Sequence, residues 1–166
     1  TRYNAVDADY KILPTEGKTF PFDSTLLKTV KTLDYIQAIE PILEENALVK
    51  YGENYHPAHL KGVPLDYRSF NGLDTMLTKG SYLLQLKERP AAIVGQEIAN
   101  MLSVNIDYIT PLKIYVPRRI KHISMDPQKA FKSALAYPSA TFSIEQDLDN
   151  YVILPFHFVE QLLGYH

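Results

Sequence analysis

The chain has 166 residues, of which 46% are hydrophobic and 22% are charged, a composition typical of one globular domain or of one domain with a smaller lobe. Its 17 Lys and Arg residues nearly balance 19 Asp and Glu residues, for a net charge of −2, so the bulk charge gives no support for binding of nucleic acid. It contains no cysteine, which excludes disulfides, cysteine nucleophiles, iron–sulfur clusters and cysteine zinc sites.

The chain is predicted to open with a strand and a helix. Residues 10–15 ("YKILPT") alternate weakly between polar and apolar side chains, which favours a strand. Asp23 or Ser24 can cap a helix over residues 25–36, where apolar side chains recur at helical spacing.

A hairpin is predicted next. Residues 42–52 and 55–63 are strand-like, and Gly52-Glu53-Asn54 is the natural turn between them. Alternate residues of the first strand are apolar and lie on one face. That face is expected to be buried, and Glu44 is expected to point outward from the other face. The apolar positions are Leu43, Ala47, Val49 and Tyr51.

The middle of the chain holds a strand–glycine–helix element. After a short helix or turn in 73–80, residues 91–94 predict a strand, and residues 96–103 predict a helix beginning after Gly95. No serine, cysteine, histidine or glycine pair stands at that junction, so it lacks the usual catalytic and phosphate-binding motifs. Residues 112–119 ("LKIYVPRR") predict a strand that Pro117 ends.

The remaining pattern completes an α+β fold. Residues 119–139 favour a loop with one short helix after Asp126-Pro127. Strands are predicted at 140–144 and 150–155, and a final helix at 156–164. The resulting order predicts an α+β architecture with an inserted lobe. No run reaches the roughly 18–20 apolar residues of a membrane span.

Candidate catalytic and metal-binding residues are few. His56 and His59 form an H-x-x-H, but on a strand they point to opposite faces, so two separate histidines are the simpler interpretation. Asp147 and Asp149 favour a turn over a carboxylate pair. The basic cluster that begins at Arg118 could bind phosphate or an anionic lipid head group, although a charged loop at a strand end is more common.

The sequence resembles the periplasmic core of permease subunits in the MacB/LolE/FtsX superfamily of ABC transporters, most nearly the lipoprotein-releasing type of Bacteroidetes. The resemblance is carried by "AAIVGQEIANMLSV" and "PLKIYVPRR", and it extends through "AHLKGVPLDY", with Gly62 and later Gly80, to the closing strands and helix. Two features depart from the family: Asn105-Ile106-Asp107 replaces a Gly-Asp turn, and the chain stops at His166 where a last strand is expected. The family helix motif falls on Val94, Gly95, Ile98, Ala99, Leu102 and Val104.

The resemblance implies a two-lobed periplasmic domain. Residues 1–83 and 139–166 would form a larger lobe of βαβ character, and residues 84–138 a smaller, mostly β lobe with a helix at 95–103. It also implies a non-catalytic domain without cofactor or metal, on the periplasmic side of the bacterial inner membrane. Tyr82, Leu83 and Leu84, near the join, are candidates for a partner surface, although burial in the core is the simpler interpretation.

The implied partners belong to a transporter. The full protein would be embedded in the membrane and would pair with a cytoplasmic ABC ATPase and with a second permease copy or a paralogue. ATP hydrolysis would move the domain, which would handle a periplasmic protein or lipoprotein by mechanotransmission. A free-standing protein-binding or adaptor module is the alternative, and a hydrolase using scattered Asp, Glu and His is a third hypothesis.

Overall fold

The computed structural model describes residues 10–67, 72–118, 130–144 and 149–165. Its elements are α1 (Ser24–Lys31), β1 (Leu43–Tyr51), β2 (Asn54–Val63), a 3₁₀ helix (Leu73–Met76), β3 (Leu77–Gly80), β4 (Gln85–Leu86), β5 (Arg89–Gly95), α2 (Gln96–Leu102), β6 (Leu112–Pro117), β7 (Phe131–Phe142), β8 (Tyr151–Pro155) and α3 (Phe156–Leu163). The mixture of helices and one extended sheet confirms the α+β prediction.

The predicted hairpin forms, and the face of β1 that was expected to be buried is buried. β1 and β2 pair antiparallel from Leu43↔Gly62 to Tyr51↔Asn54. Ala47 and Val49 are buried while Glu44 is exposed, because alternate side chains of a strand point to opposite faces.

Six strands form a closed ring of pairings. β1 pairs with β2 and β6, and β6 pairs with β7. On the other side, β2 pairs with β8, β8 with β5, and β5 with β7. The ring therefore runs β7–β6–β1–β2–β8–β5 and returns to β7. β3 and β4 extend the sheet from β7 and β5.

The helices α2 and α3 cover opposite ends of this ring. α2 follows the carboxyl end of β5 and α3 follows that of β8, and these two strands are antiparallel. Both helices bury apolar side chains in the same core as the inward faces of the strands, including Ile98 and Leu102 from α2 and Val159 and Leu162 from α3. Burial of this kind contributes about 25 cal/mol per Å² of apolar surface.

A bulge in β7 links this core to a second one. Ala92 pairs with Pro138 but Ile93 pairs with Ala140, which leaves Ser139 as the extra residue. The extra residue turns the even-numbered side chains to the other face of the strand: Ala136 faces the first core, whereas Phe142 faces the second. The Ser139 hydroxyl donates to the Leu83 carbonyl at 2.6 Å, which anchors the bulge to the preceding loop.

The predicted lobe boundaries separate strands that pair with one another. β6 lies within the predicted inserted lobe, residues 84–138, yet it pairs with β1, and β5 of the same lobe pairs with β8. Hydrogen bonds thus join the two ranges in one sheet, and the division into lobes stays a prediction.

Three local predictions are wrong. Residues 10–15 form no strand, because weak alternation alone does not supply the neighbouring strand that a sheet requires. The helix predicted over 25–36 ends at Lys31, where Thr32 and Leu33 close it with shorter i→i+3 bonds. Residues 131–139 belong to β7 instead of a loop, since β6 supplies the partner strand. The short helix predicted after Asp126-Pro127 lies outside the described residues.

The start of α1 is as predicted. Asp23 caps it, and its Oδ1 accepts from the backbone N–H groups of Thr25 and Leu26 at 3.0 and 2.9 Å. Within the described residues, no helix combines the length and apolarity needed to cross a membrane.

Candidate functional site

The junction at Gly95 is held by a close backbone approach. A Cβ at this position would lie 2.1 Å from the carbonyl oxygen of Asp149, and the same oxygen accepts from the N–H of Ile98 at 3.4 Å. The glycine has φ −59° and ψ 145°, a conformation open to any residue. Lack of a side chain, and not backbone freedom, is therefore what this position requires.

The other motif residues also serve packing. Ile98, Ala99 and Leu102 are buried on the inner side of α2. At Gly62 a Cβ would lie 2.9 Å from the side chain of Val159, so the glycine lets α3 approach β2. Gly80 has φ +84°, and its Cβ would lie 2.2 Å from the Ser139 carbonyl oxygen, beside the bulge of β7.

Of the three residues predicted as a partner surface, two are buried. Tyr82 and Leu84 are 7% and 4% exposed and belong to the second core, whereas Leu83 is 43% exposed. Of the three, Leu83 alone has a side chain exposed enough to be reached from solvent, and the partner surface stays a prediction.

The candidate catalytic groups are dispersed. His56 and His59 lie on β2 with opposite parity, and His59 packs against Tyr151 with ring centroids 5.5 Å apart. Asp149 accepts from the Ser143 hydroxyl and the Ile144 N–H, both at 3.0 Å, so its carboxylate is held by hydrogen bonds within the chain. Asp147 lies outside the described residues. Among the described side chains, no three metal-ligating groups gather into a site.

The outward side of β2, β1 and β6 carries an exposed apolar and aromatic surface. We define the outer sheet face as Leu48, Lys50, Tyr55, Lys113 and Tyr115. Leu48 is 40% exposed and Tyr55 is 53% exposed. Leu48 pairs with Tyr115, and Lys50 pairs with both Lys113 and Tyr55, so strand register alone makes these residues neighbours.

Tyrosine rings accommodate the two adjacent lysines of the outer sheet face. Like charges directly opposite one another destabilise a sheet, but each ammonium lies over a ring. Lys50 Nζ is 5.0 Å from the Tyr55 centroid, and Lys113 Nζ is 5.2 Å from that of Tyr115. The hydrogen bond with Tyr55, helped by the charge of Glu53, raises the pKa of Lys50 above its ordinary value. The outer sheet face is thus basic, aromatic and partly apolar.

The opposite end of the hairpin is acidic around one buried cation. Lys61 is 2% exposed, and its Nζ lies 3.6 Å from Glu44 Oε1 and 6.0 Å from the ring centroids of both Tyr67 and Tyr151. Partial burial, and then repulsion from Asp66, raises the pKa of Glu40 above its ordinary value of 4.5.

Replacing Glu40 with glutamine is expected to raise the free energy of unfolding at about pH 7. A carboxyl whose pKa is raised in the folded state stabilises the protein while protonated, and this contribution is lost as pH rises through the folded pKa. The gain of Glu40→Gln over the parent chain should therefore vanish below about pH 4, where the carboxyl is protonated in both states. Urea unfolding at both pH values measures this, with Glu88→Gln at an exposed carboxylate as the control. A gain that persists in acid would contradict the assignment.

Comparisons with known proteins identify the fold. Neither a protein-family model nor a curated protein matches the sequence. Among solved structures, the extracellular domain of the ABC-type transporter YknZ from Gram-positive bacteria is 13% identical, with a TM-score of 0.57 over 86% of this chain and 67% of that chain. The periplasmic region of MacB from Actinobacillus actinomycetemcomitans is 16% identical, with a TM-score of 0.52 over 84% of this chain and 57% of that chain.

A third similar structure is a domain of a proposed permease protein from Porphyromonas gingivalis. It is 10% identical, with a TM-score of 0.51 over 81% of this chain and 54% of that chain. The chain thus spans a little over half the length of the MacB and Porphyromonas chains. These likenesses confirm the predicted fold: the chain has the fold of extracytoplasmic domains of ABC transporter permeases.

Sequence reasoning overlooked the outer sheet face. The sequence contains one weak signal of this face. Leu48 is a large apolar side chain, yet it lies on the same outward-facing side of β1 as Glu44. Tyr115 joins Leu48 only through the β1–β6 pairing, which no local pattern reveals.

Proposed function

We propose that this chain is the extracytoplasmic domain of an ABC transporter permease. The observation that carries the proposal is the fold, shared over 81 to 86% of the chain with three extracytoplasmic or permease domains. The glycines of the family-like motif support it, since Gly95 and Gly62 stand where α2 and α3 pack against the ring.

In this proposal the domain acts mechanically and not catalytically. A cytoplasmic ATPase would drive the motion through a membrane part, with a second permease copy or paralogue completing the transporter. A ring of six hydrogen-bonded strands covered by helices at both ends suits transmission of motion, because such a body moves as a unit. The handled substrate would be a periplasmic protein such as a lipoprotein.

The first test is the parent open reading frame. An apolar segment of about 20 residues before Thr1 and three after His166 would support a permease, and a neighbouring ATPase gene would strengthen it. A frame that encodes a cleavable signal and ends near His166 would instead favour the free-standing adaptor.

The absence of cysteine from the sequence makes a labelling test clean. Met101→Cys, at a position that is 58% exposed on α2 and away from the outer sheet face, is placed in the parent protein cleared of other cysteines. It is expected to react with a membrane-impermeant maleimide in intact cells. Ala92→Cys, whose position is fully buried, is the matched control and should react only after denaturation. Labelling of Met101→Cys only in lysed cells would place the domain in the cytoplasm and contradict the proposal.

The outer sheet face is the surface through which we expect the domain to meet its protein partner or substrate. Leu48→Asp should abolish transport by the parent transporter, because it places a carboxylate in the apolar row beside Tyr115. Met101→Asp is the matched control: Met101 is 58% exposed but lies on α2, away from this face. Equal transport by both variants, with folding intact by circular dichroism, would exclude this face.

A further inference from the structure

One end of β7 has a strand partner on only one side. Residues 131–136 pair with β6, whereas β5 pairs with β7 only from Tyr137 onward and β3 only from Ala140. β5 and β6 lie on opposite sides of β7, because the strand pairings close a ring. Within the described ranges, the side of residues 131–136 that faces away from β6 therefore pairs with no strand.

Backbone groups of alternate residues point to this open side. The N–H of Arg118 donates to the Ala130 carbonyl at 2.7 Å, next to the last strand pair, Pro117↔Phe131. In an antiparallel ladder only every second residue bonds to a given neighbour. Even-numbered residues of β7 thus bond to β6, and the N–H and C=O groups of Ser133 and Leu135 point away from it. An edge of this kind is a template for an added strand.

A cleft with two cations runs beside this edge. It has a volume of about 500 Å³ between β7 and α3, with Phe158 and Leu162 as apolar walls, which is within the usual range of ligand pockets. Arg118 and Lys132 also line it. Arg118 Nε donates to the Phe131 carbonyl at 3.1 Å, so the guanidinium is held at the mouth of the cleft.

Among the described residues, neither cation has a carboxylate partner. In the part of the chain that the structure describes, no salt bridge includes Arg118 or Lys132. Lys132 Nζ lies beside the last turn of α3, at 2.6 Å from where a Cβ of Gly164 would stand. The carboxyl end of a helix favours a cation but supplies only a partial charge, so the cleft retains positive charge.

We propose that the open edge of β7 binds an extended, acidic segment of a partner protein, which adds as a strand. Its backbone would bond to Ser133 and Leu135, apolar side chains would pack on Phe158, and carboxylates would lie near Arg118 and Lys132. Strand addition of this kind derives affinity from the backbone bonds and specificity from alternate side chains. An anionic lipid head group would leave the spaced backbone groups of the edge without partners. The inference does not depend on the transporter assignment.

A fluorescently labelled, blocked peptide of eight alternating Glu and Val residues is the probe. The 166-residue chain should bind it, more weakly as salt is added, and should bind a Lys/Val peptide of the same length at least about tenfold more weakly. The double variant with Arg118→Glu and Lys132→Glu should lose at least about tenfold in affinity. The matched control, Lys28→Glu with Lys31→Glu, makes the same charge change at two exposed positions of α1 and should keep its affinity within about twofold.

A second variant tests the backbone edge itself. Ser133→Pro removes an N–H that points away from β6, so β7 should keep its pairing while peptide binding falls at least about tenfold. Hydrogen exchange of the parent chain should show protection of the Ser133 and Leu135 amides on adding peptide. Equal loss in both charge variants, no protection at these amides, or binding to vesicles of anionic phospholipid without peptide binding would each overturn the proposal.

Discussion

Replacing Gly95 with alanine is expected to lower the free energy of unfolding by about 3 kcal/mol or more. The new Cβ would stand 2.1 Å from the carbonyl oxygen and 2.5 Å from the carbonyl carbon of Asp149. The backbone at Asp149, just before β8, must therefore move. Because that oxygen accepts the Ile98 N–H, the shift also disturbs the first turn of α2. Chemical denaturation with circular dichroism measures the change.

Gly52→Ala is the control for this prediction. Gly52 has φ +58° but no atom within 4 Å of its would-be Cβ, so alanine there should cost only about 1 kcal/mol, from the left-handed backbone conformation. Comparable losses at Gly52 and Gly95 would mean that β5, α2 and the Asp149 turn do not approach as closely as described.

Phe142→Ala is expected to cost about 3–5 kcal/mol. Phe142 is fully buried in the second core with Leu73, Ile93 and Ile153, and its backbone pairs with both β3 and β5. Truncation would leave a cavity that hydrogen-bonded strands on two sides prevent from collapsing.

The same strand offers a matched control for Phe142. Phe131, at the other end of β7, is 47% exposed, and Phe131→Ala should change stability by no more than about 0.5 kcal/mol. Thermal and urea unfolding of both variants give the comparison. A small loss for Phe142→Ala would show that the second core does not contribute to the cooperative unit.

Local patterns correctly predicted the elements whose signals lie within a short stretch. The β1–β2 hairpin follows from one apolar parity and a turn containing Gly52. The N-cap of α1 follows from the side chain of Asp23 alone. In α2, Ile98 and Leu102 lie one helical turn apart and share the buried side.

Only the end of β7 was predicted as a strand, because residues 131–139 were assigned to a loop and a strand was expected only from 140. Its first half pairs with β6, and its second half pairs with β5 and β3. The bulge at Ser139 turns the even-numbered side chains from the first core at Ala136 to the second core at Ala140. Residues 131–136 are a strand because β6 supplies their partner, which a local sequence window does not contain, even though the strand is continuous over 131–142.

The sequence by itself determined the α+β class, the hairpin, the two strand-to-helix junctions and the lack of a local catalytic motif, since each depends on neighbours within a few residues. Tertiary structure alone decided the closed ring, the clash that reserves position 95 for glycine, the outer sheet face and the open edge of β7. These depend on pairings between residues far apart in the chain, such as Leu48 with Tyr115. The free energy of such contacts appears only once the strands meet, so no local pattern encodes them.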